Sequence, residues 1–553
     1  MTVEELEKQH PELYESADAE LSQIEHDAEA FQHRYRGKRL TAYISCVAGT
    51  GFTLFGYDQG VMSALLTAKQ FENVFPEVVT GDGQPKNHAD LQSLLVAIYE
   101  IGCLIGALSN LWLGDKLGRK RTIILGGIIM TIGAILQTTS YGYAQMIVAR
   151  VVTGLGNGLN TSTVPAYHAE CSPAANRGRL LITEGVLIAF GIMTSYWVDF
   201  GLFWAKDSSA QWRFPIAFQI FFALVMVFGI NFLPESPRWL IKVGRKAEAI
   251  SVLSALEDKP VNHPLVRQAY KGMNEVVMME EKAAPRGKAA LSELKTGGRS
   301  QNFRRVALAV VVQAFQQITG INLITYYATI LFERLGLSDV KSRILAACNG
   351  TEYFLISILA IFLIDKVGRR KLMLFGAAGQ CITMVLLGIL GSIDKPAAQI
   401  ISAVLLFVFN SFFALGWLGT SWLYAAEIVG LRMRGPANAL STASNWIFNF
   451  LVVMVTGPAF ANIDWGTYIV FAALNALIFP VVYFFFPETA GRSLEDMDVI
   501  FALAYNEGVS PVAVSLRKDI PAAGTPEADV ILGIDAADMR EERDDNAPHG
   551  KKV

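Results

Sequence analysis

The sequence is dominated by twelve apolar blocks, each close to the ~20 residues that a helix needs to cross the hydrocarbon core of a bilayer. Six blocks lie at about residues 40–66, 92–113, 122–141, 144–168, 180–201 and 214–233. Six more lie at about residues 304–332, 343–363, 372–391, 400–425, 436–460 and 466–486. Since 52% of the residues are hydrophobic and 18% are charged, we predict an all-α membrane protein with twelve transmembrane spans, numbered 1 to 12 in chain order.

Polar stretches divide the chain into five predicted segments. These are a cytoplasmic N-terminal tail (1–39), a first six-helix bundle (40–233), a cytoplasmic helical linker (234–303), a second six-helix bundle (304–487) and a cytoplasmic C-terminal tail (488–553). Their orientation follows from the Lys and Arg residues in the short loops after spans 2, 4, 8 and 10, because such residues concentrate on the cytoplasmic side of a membrane. Both termini are therefore predicted to be cytoplasmic.

Three short motifs occur once in each half of the chain, about 250 residues apart. The pairs are GDKLGRKR (114–121) with IDKVGRRK (364–371), AECSPAANRGR (169–179) with AAEIVGLRMRG (425–435), and PESPRWL (234–240) with PETAGRSL (487–494). Such repeats indicate two related, pseudo-symmetric six-helix bundles. Parallel repeats of this kind build transporters that rock around a binding site near the middle of the membrane.

Two residues of opposite charge fall inside predicted spans at similar depth. Asp58 lies about 8 residues, or ~12 Å, below the outer end of span 1, and Arg150 about 7 residues, or ~10 Å, below that of span 4. Charges inside the membrane are costly, usually functional and in need of a partner, so we predict that these two residues pair. A carboxylate that loses and regains an arginine partner can couple proton movement to conformational change; the alternative is a static ion pair that fixes helix packing.

Other functional classes lack their motifs in this sequence. There is no Walker motif, no nucleophile–base set and no cluster with metal-ligand spacing, and the five cysteines show no CxxC spacing. GLGNG (154–158) is interpreted as a small-residue stripe for close helix packing rather than a phosphate loop. The net charge of −3 predicts no nucleic-acid partner. From the missing motifs we predict no enzyme, no metal and no cofactor apart from a proton as coupling ion.

Together, several motifs resemble the sugar porter family of the major facilitator superfamily, over about residues 40–500. They are GDKLGRKR, RVVTGLGNG (150–158), PESPRWL, QQITGINLITYYA (316–328), DKVGRR (365–370) and PETAGRS (487–493). Finer features such as FGYDQGVMSALLT (55–67) resemble one fungal branch, which is known for proton-coupled hexose transporters and for glycerol–proton symporters. The resemblance implies that proton symporters carry the acid at Asp58, although some facilitators of the family carry it as well.

The resemblance also implies a sugar site between the two halves, built from amides and aromatic rings. Its expected contacts are Gln316, Gln317, Asn322, Trp422, Asn445 and, more weakly, Phe413. Amides offer paired donors and acceptors to sugar hydroxyls, while the alternative role for these residues is polar contact between helices. Since Gln317 and Asn322 do not share one helical face, we expect a kink at Gly320.

Two positions depart from the family pattern. In span 5, where many members have Gln, this chain has Gly185 preceded by Glu184; in span 8, Tyr353 stands where Asn is usual. Both changes affect expected sugar contacts, so the substrate cannot be inherited from the resemblance. Glu184 is either a further functional acid or a residue at the membrane interface.

Charges at the cytoplasmic ends of the spans are expected to form a gate. Resemblance and symmetry imply salt bridges between helices that hold the inner side shut, formed by Asp115, Arg119, Glu170, Arg177, Asp365, Arg369, Glu427 and Arg434, with Arg238 joining them from the linker.

We therefore predict a monomeric plasma-membrane symporter that imports a monosaccharide such as glucose with a proton by alternating access. The alternatives are a glycerol or polyol symporter, and a sugar sensor with a transporter fold.

Overall fold

The computed structural model describes residues 21–533 except 32, 82, 173–176, 284–294, 394, 431 and 432, and only the backbone of 177–181, 276, 279–283, 434, 435 and 494. The chain forms two compact units, Met1–Ala283 and Ala284–Val553, here called unit 1 and unit 2. Within the described residues the secondary structure is helical, with no strand.

Unit 1 contains six long helices that correspond to spans 1–6. With a short helix in the first loop, they are α1 (Gly37–Leu65), α2 (Lys69–Val74), α3 (Asn87–Leu117), α4 (Arg119–Thr138), α5 (Tyr143–Glu170), α6 (Arg177–Leu202) and α7 (Ala210–Asn231). A 3₁₀ turn, Pro76–Val78, follows α2. The helices extend beyond the predicted apolar blocks, because polar residues at their ends also adopt a helical backbone. For example, α3 begins at Asn87, whereas the apolar block of span 2 begins at about residue 92.

Glycines allow α3 and α5 to pack with their backbones in contact. A Cβ atom on Gly154 would lie 2.1 Å from the carbonyl oxygen of Tyr99, and one on Gly158 would lie 2.1 Å from that of Cys103. Any side chain at these positions would force the helices apart, so the interpretation of GLGNG as a packing stripe is confirmed. The close approach brings Arg150, one turn before Gly154, against α3.

The linker adds three helices to unit 1: α8 (Pro237–Lys242), α9 (Lys246–Glu257) and α10 (Pro264–Ala283). Residues 21–31, here called the N-terminal segment, contain a helix at 21–28 and pack on them. Leu21 and Ala28 of this segment share an apolar cluster with the linker residues Trp239, Leu240, Ile241, Ala249, Ile250, Val252, Leu253, Val266, Tyr270 and Val277. Arg267 also donates to both carboxylate oxygens of Glu25, at 2.5 and 2.6 Å.

Unit 2 contains the helices of spans 7–12, two of which are interrupted. They are α11 (Asn302–Ile318), α12 (Ile321–Arg334), α13 (Asp339–Val367), α14 (Arg369–Gly391), α15 (Pro396–Phe413), α16 (Thr420–Ile428), α17 (Arg434–Ile463) and α18 (Gly466–Phe485). Gly320, with φ of +96°, separates α11 from α12, which confirms the expected kink. A π-helical segment, Ala414–Leu418, separates α15 from α16.

Part of the C-terminal tail is helical. It contains α19 (Leu494–Glu507), α20 (Pro511–Ser515) and α21 (Pro526–Leu532). Ser493 and Asp496 form a capping box at the start of α19, a signal that was present in the sequence. From α11, Arg305 donates to Asp498 and lies over the ring of Phe501, so the tail docks on unit 2. Residues 534–553 lie outside the described part of the chain.

Ten helical stretches within the described residues are long and apolar enough to cross a membrane. The pairs α11–α12 and α15–α16 each count as one of these. Two further helices, α1 and α5, have 29 and 28 residues and therefore also suffice in length. They are less apolar because they are rich in Gly and Thr and carry Asp58 and Arg150. Together these helices account for the twelve predicted spans.

Candidate functional site

A buried ion pair joins α1 and α5 in unit 1. Asp58 and Arg150 are both fully buried, and Nη1 of Arg150 lies 3.3 Å from each carboxylate oxygen of Asp58. The depths predicted from the sequence are therefore consistent with direct contact. Removing one partner of a buried pair leaves an uncompensated charge, which costs about 3–5 kcal/mol.

Arg150 also has partners on α3. Its Nη2 donates to the carbonyl oxygen of Val96 at 3.0 Å, and its guanidinium lies 4.6 Å from the centre of the Tyr99 ring. A carbonyl and an aromatic face both stabilise a cation without carrying charge. Arg150 thus keeps part of its stabilisation when Asp58 is neutral.

Four of the residues assigned to a sugar site form one amide network in unit 2. Nδ2 of Asn322 donates to Oε1 of Gln317 at 2.5 Å, and Nε2 of Gln317 donates to Oε1 of Gln316 at 3.4 Å. Asn445 of α17 donates to the same Gln316 oxygen at 2.9 Å. The kink at Gly320 makes this possible, because it brings the first residues of α12 back toward the end of α11.

Two members of the network were missed by sequence reasoning. Gln313 accepts a hydrogen bond from Asn445 at 2.7 Å, and Asn449 accepts one from Asn322 at 2.7 Å. Their spacing was a usable signal, since Gln313 lies three residues before Gln316 and Asn449 four residues after Asn445. Residues at those spacings share a helical face.

The π-helical segment connects this network to the aromatic candidates. Nε2 of Gln316 donates to the carbonyl oxygens of Trp417 and Leu418, at 3.2 and 3.1 Å. Phe413 is buried immediately before the segment and its ring centre lies 6.3 Å from that of Tyr353. Trp422 is half-buried on α16, after the segment. A π-bulge exposes carbonyl groups that a regular helix would use internally, and such bulges are frequent at functional sites.

The charged residues at the predicted cytoplasmic end of unit 1, where the Lys- and Arg-rich loops follow spans 2 and 4, form an ion-pair cluster, here called cluster 1. Arg119 at the start of α4 donates to both oxygens of Glu170 on α5, at 3.0 and 3.1 Å, and lies 3.6 Å from Asp115. The Ser236 hydroxyl donates to Glu170 at 2.5 Å. Lys242 of the linker lies 2.7 Å from Asp115, so the cluster ties the linker to α3, α4 and α5.

Unit 2 repeats the same arrangement, here called cluster 2. Arg369 donates to both oxygens of Glu427, at 3.2 and 3.0 Å, and to Asp365 at 2.8 Å. The Thr489 hydroxyl donates to Glu427 at 2.6 Å, as Ser236 does to Glu170. Two bundles with the same ion pairs at corresponding positions are consistent with the internal repeat seen in the sequence.

Two glutamates of the repeated PES and PET motifs cap helices in these clusters. Glu235 accepts from the backbone N–H groups of Arg119 and Lys120, each at 3.1 Å, and Glu488 accepts from that of Arg369 at 2.8 Å. A carboxylate is favourable at a helix N-terminus, where N–H groups lack partners. Burial raises the pKa of Glu235, and its backbone hydrogen bonds oppose that rise. Sequence reasoning missed this role, although the motif pair pointed to it.

The remaining gate candidates stay predictions. The side chains of Arg177 and Arg434 lie outside the described residues. Arg238 lies in the first turn of α8, two residues after the Ser236 that contacts Glu170.

Glu184, left open by the sequence, is buried and has a partner. Its Oε1 lies 3.2 Å from Nδ1 of His168 on α5, and the relative exposures of the two residues are 6% and 4%. Two other acids in the spans were not singled out from the sequence. Glu100 on α3 is fully buried, and Glu352 on α13 accepts a hydrogen bond from Ser411.

Comparison with known proteins agrees with this architecture. The family model described as "Sugar (and other) transporter" matches residues 43–501. The chain is 43% identical over 487 residues to the sugar transporter STL1 of Saccharomyces cerevisiae, which covers 87% of this chain and 84% of the relative. It is 32% identical over 491 residues to the low-affinity glucose transporter HXT1 of the same yeast, with coverage of 86% and 84%.

Solved structures with the same fold include a D-xylose–proton symporter. It is 25% identical in sequence, with a TM-score of 0.62, over 82% of this chain and 100% of the other. The relatives compared above are all named as transporters. The chain therefore belongs to the sugar porter family of the major facilitator superfamily, and is a multi-pass membrane protein with the twelve-helix, two-bundle fold of that superfamily.

Proposed function

We propose that the protein imports a monosaccharide, such as a hexose, together with a proton across the plasma membrane by alternating access. Both termini face the cytoplasm in this proposal, and the transporter works as a monomer. The observation that carries the proposal is the fully buried pair of Asp58 and Arg150.

The buried pair has the properties of a proton-coupling device. Asp58 is stabilised as a carboxylate by Arg150 at 3.3 Å, and Arg150 has the Val96 carbonyl as a second acceptor. Movement of the arginine toward α3 leaves a desolvated acid, which binds a proton readily. The proton neutralises Asp58 and so removes the electrostatic attraction that would bring Arg150 back to it. Proton binding and helix movement are therefore coupled.

The amide network has the chemistry that sugar recognition requires. Gln316, Gln317, Asn322 and Asn445 supply uncharged donors and acceptors in one place. Their mutual hydrogen bonds hold these groups in position and are exchangeable for hydrogen bonds to hydroxyl groups. Aromatic rings such as Phe413 and Trp422 then pack on the apolar face of a sugar ring. The relative HXT1 is named as a glucose transporter, which supports a hexose as substrate.

A glycerol or polyol symporter is the second candidate, because two positions expected to contact sugar are changed. Tyr353 is a buried aromatic residue beside Phe413, where the family usually has an amide. In α6, Gly185 stands where many members have Gln, and the preceding Glu184 is engaged with His168. A bulky ring and a lost hydrogen-bonding group both favour a smaller substrate.

We propose that clusters 1 and 2 form the cytoplasmic gate. The Arg119–Glu170 and Arg369–Glu427 pairs are largely buried but keep some contact with solvent, with side-chain exposures of 18% and 10% in the first and 7% and 18% in the second. Their residual exposure lets water reach both partners when a pair separates, which a gate that opens in each cycle requires.

Uptake measurements in a yeast that lacks its own hexose carriers test the proposed function. We expect the protein to restore uptake of labelled glucose, and an uncoupler to abolish accumulation above the external concentration. Labelled xylose and glycerol are compared in the same cells. Preference for glycerol would select the second candidate, and accumulation that an uncoupler leaves unchanged would contradict proton coupling.

Asp58→Asn is expected to abolish proton movement while exchange of substrate continues. The amide keeps the shape of the side chain but cannot bind and release a proton. Proton movement is followed as external alkalinisation on sugar addition, and exchange as counterflow of labelled sugar. Asp207→Asn, at an exposed acid between α6 and α7, is the control. The double variant Asp58→Asn with Arg150→Gln removes the unpaired charge if the single variant folds poorly. Normal alkalinisation in either variant would rule out the role of Asp58.

Gln317→Ala is expected to raise the KM for sugar by roughly five- to tenfold, since a neutral hydrogen bond contributes about 1 kcal/mol. The control is Asn462→Ala, at an exposed amide that donates to Pro458 of its own helix. Initial rates over a range of concentrations separate KM from maximal rate. An unchanged KM at normal membrane abundance would assign Gln317 to helix packing instead.

Glu170→Gln is expected to lower the maximal rate of uptake several-fold at an unchanged KM, because the gate closes less firmly when cluster 1 loses its charge. Glu248→Gln is the matched control, since Glu248 on α9 pairs with Arg245, the residue that precedes this helix. Both are measured per transporter in the membrane. Equal effects of the two substitutions would mean that cluster 1 has no special role in the cycle.

A further inference from the structure

A second buried acid–base pair lies in unit 1, away from Asp58 and Arg150. Nδ1 of His168 on α5 lies 3.2 Å from Oε1 of Glu184 on α6. The other ring nitrogen, Nε2, lies 3.0 Å from the hydroxyl oxygen of Ser45 on α1. Each ring nitrogen therefore has a partner from a different helix, and the three residues link α1, α5 and α6.

Two helices carry both the buried ion pair and this second pair. Ser45 precedes Asp58 by 13 residues on α1, and His168 follows Arg150 by 18 residues on α5. At 1.5 Å per residue these spacings are about 20 and 27 Å. The second pair therefore lies near the basic, predicted cytoplasmic end of the unit, two residues before the Glu170 of cluster 1.

We propose that His168 and Glu184, with the Ser45 hydroxyl, form a second proton-binding site, which accepts the transported proton at the cytoplasmic end after Asp58 has released it. This inference rests on the proposed proton coupling. The distance to Asp58 is far beyond hydrogen-bond reach, so water in the opened path carries the proton between the two sites.

The contacts define the step. With a neutral imidazole, Nδ1–H donates to the Glu184 carboxylate and the Ser45 hydroxyl donates to Nε2. Nε2 then takes up one proton, and the Ser45 hydroxyl turns to accept from it. The pair changes from a net charge of −1 to 0, which is favourable where both side chains are buried. Release of the same proton to cytoplasmic water restores the starting state.

The neighbouring titratable groups are engaged elsewhere or exposed, apart from the buried thiol of Cys171. At this end of α4 and α5, Arg119 and Glu170 pair with each other, and Tyr167 donates to the carbonyl oxygen of Pro234. Cys171 is buried, and on α1 Lys38, Arg39 and Cys46 are exposed. The side chains of Arg177 and Arg179 at the start of α6 are outside the described residues. Among described side chains, Glu184 is the acid within ion-pair distance of His168.

Glu184→Gln tests the inference. Glutamine keeps a hydrogen-bond acceptor for Nδ1–H but removes the charge that stabilises the imidazolium. We expect proton-driven uptake to fall by about tenfold or more, since one opposite charge at this distance changes proton binding by at least that factor. Counterflow, which needs no net proton release, should persist. The dependence of uptake on cytoplasmic pH should also flatten, which a structural role would not cause.

Thr163→Val is the matched control, because Thr163 is buried on α5 and its hydroxyl donates to Leu159 of the same helix. If Glu184→Gln does not reach the membrane, His168→Gln removes the imidazole and makes the same test. Infrared difference spectra of purified protein give a second readout: the imidazole band that accompanies proton binding in the wild type should be absent in His168→Gln and altered in Glu184→Gln.

The outcomes separate this inference from the proposed function. Uptake and pH dependence like those of Thr163→Val would overturn the second site while leaving the role of Asp58 intact. Equal loss of uptake and counterflow at normal abundance would also overturn it, since the pair would then only hold three helices together. Absence of proton movement in the wild type would contradict the proposed function itself.

Discussion

The ion pair between Asp58 and Arg150 sets the requirement that the rest of unit 1 meets. Two charges held out of water need contact at about 3 Å, and this demands close packing of the helices that carry them. Arg150 also needs its partners on α3, and Gly154 and Gly158 allow this approach because they let α5 lie against the backbone of α3. The same packing places Val96 and Tyr99 around the guanidinium. The arginine is therefore stabilised both with and without its acid.

The two units have similar ion pairs at their predicted cytoplasmic ends and different polar side chains in their interiors. Clusters 1 and 2 share an arginine paired with glutamate, an aspartate four residues before that arginine, and the hydroxyl of the PES or PET motif. The interiors diverge: unit 1 holds ionisable pairs, and unit 2 holds uncharged amides around a kink and a π-helical segment. We infer a division of labour in which unit 1 handles the proton and unit 2 supplies sugar contacts.

The sequence was sufficient where a strong local rule applied. Asp58 and Arg150 were predicted because charges inside apolar blocks need partners at equal depth, and the kink at Gly320 because Gln317 and Asn322 do not share a face. The same depth argument would have paired Glu184 with His168, had histidines in the spans been compared with acids. The repeated PES and PET motifs pointed to the caps by Glu235 and Glu488, but docking of the N-terminal segment and of the tail helices was not predictable in this way. Each depends on contacts between residues distant in sequence, and the polar composition of these segments gave no sign of a packing partner.

Reconstitution of the purified protein in liposomes tests the central claim most directly. With a pH-sensitive dye inside and no initial pH difference, an inward gradient of the transported sugar should acidify the lumen, because each sugar brings a proton with it. The Asp58→Asn protein should admit the sugar without acidification. Sugar entry through the wild-type protein with no change in lumenal pH would contradict the account.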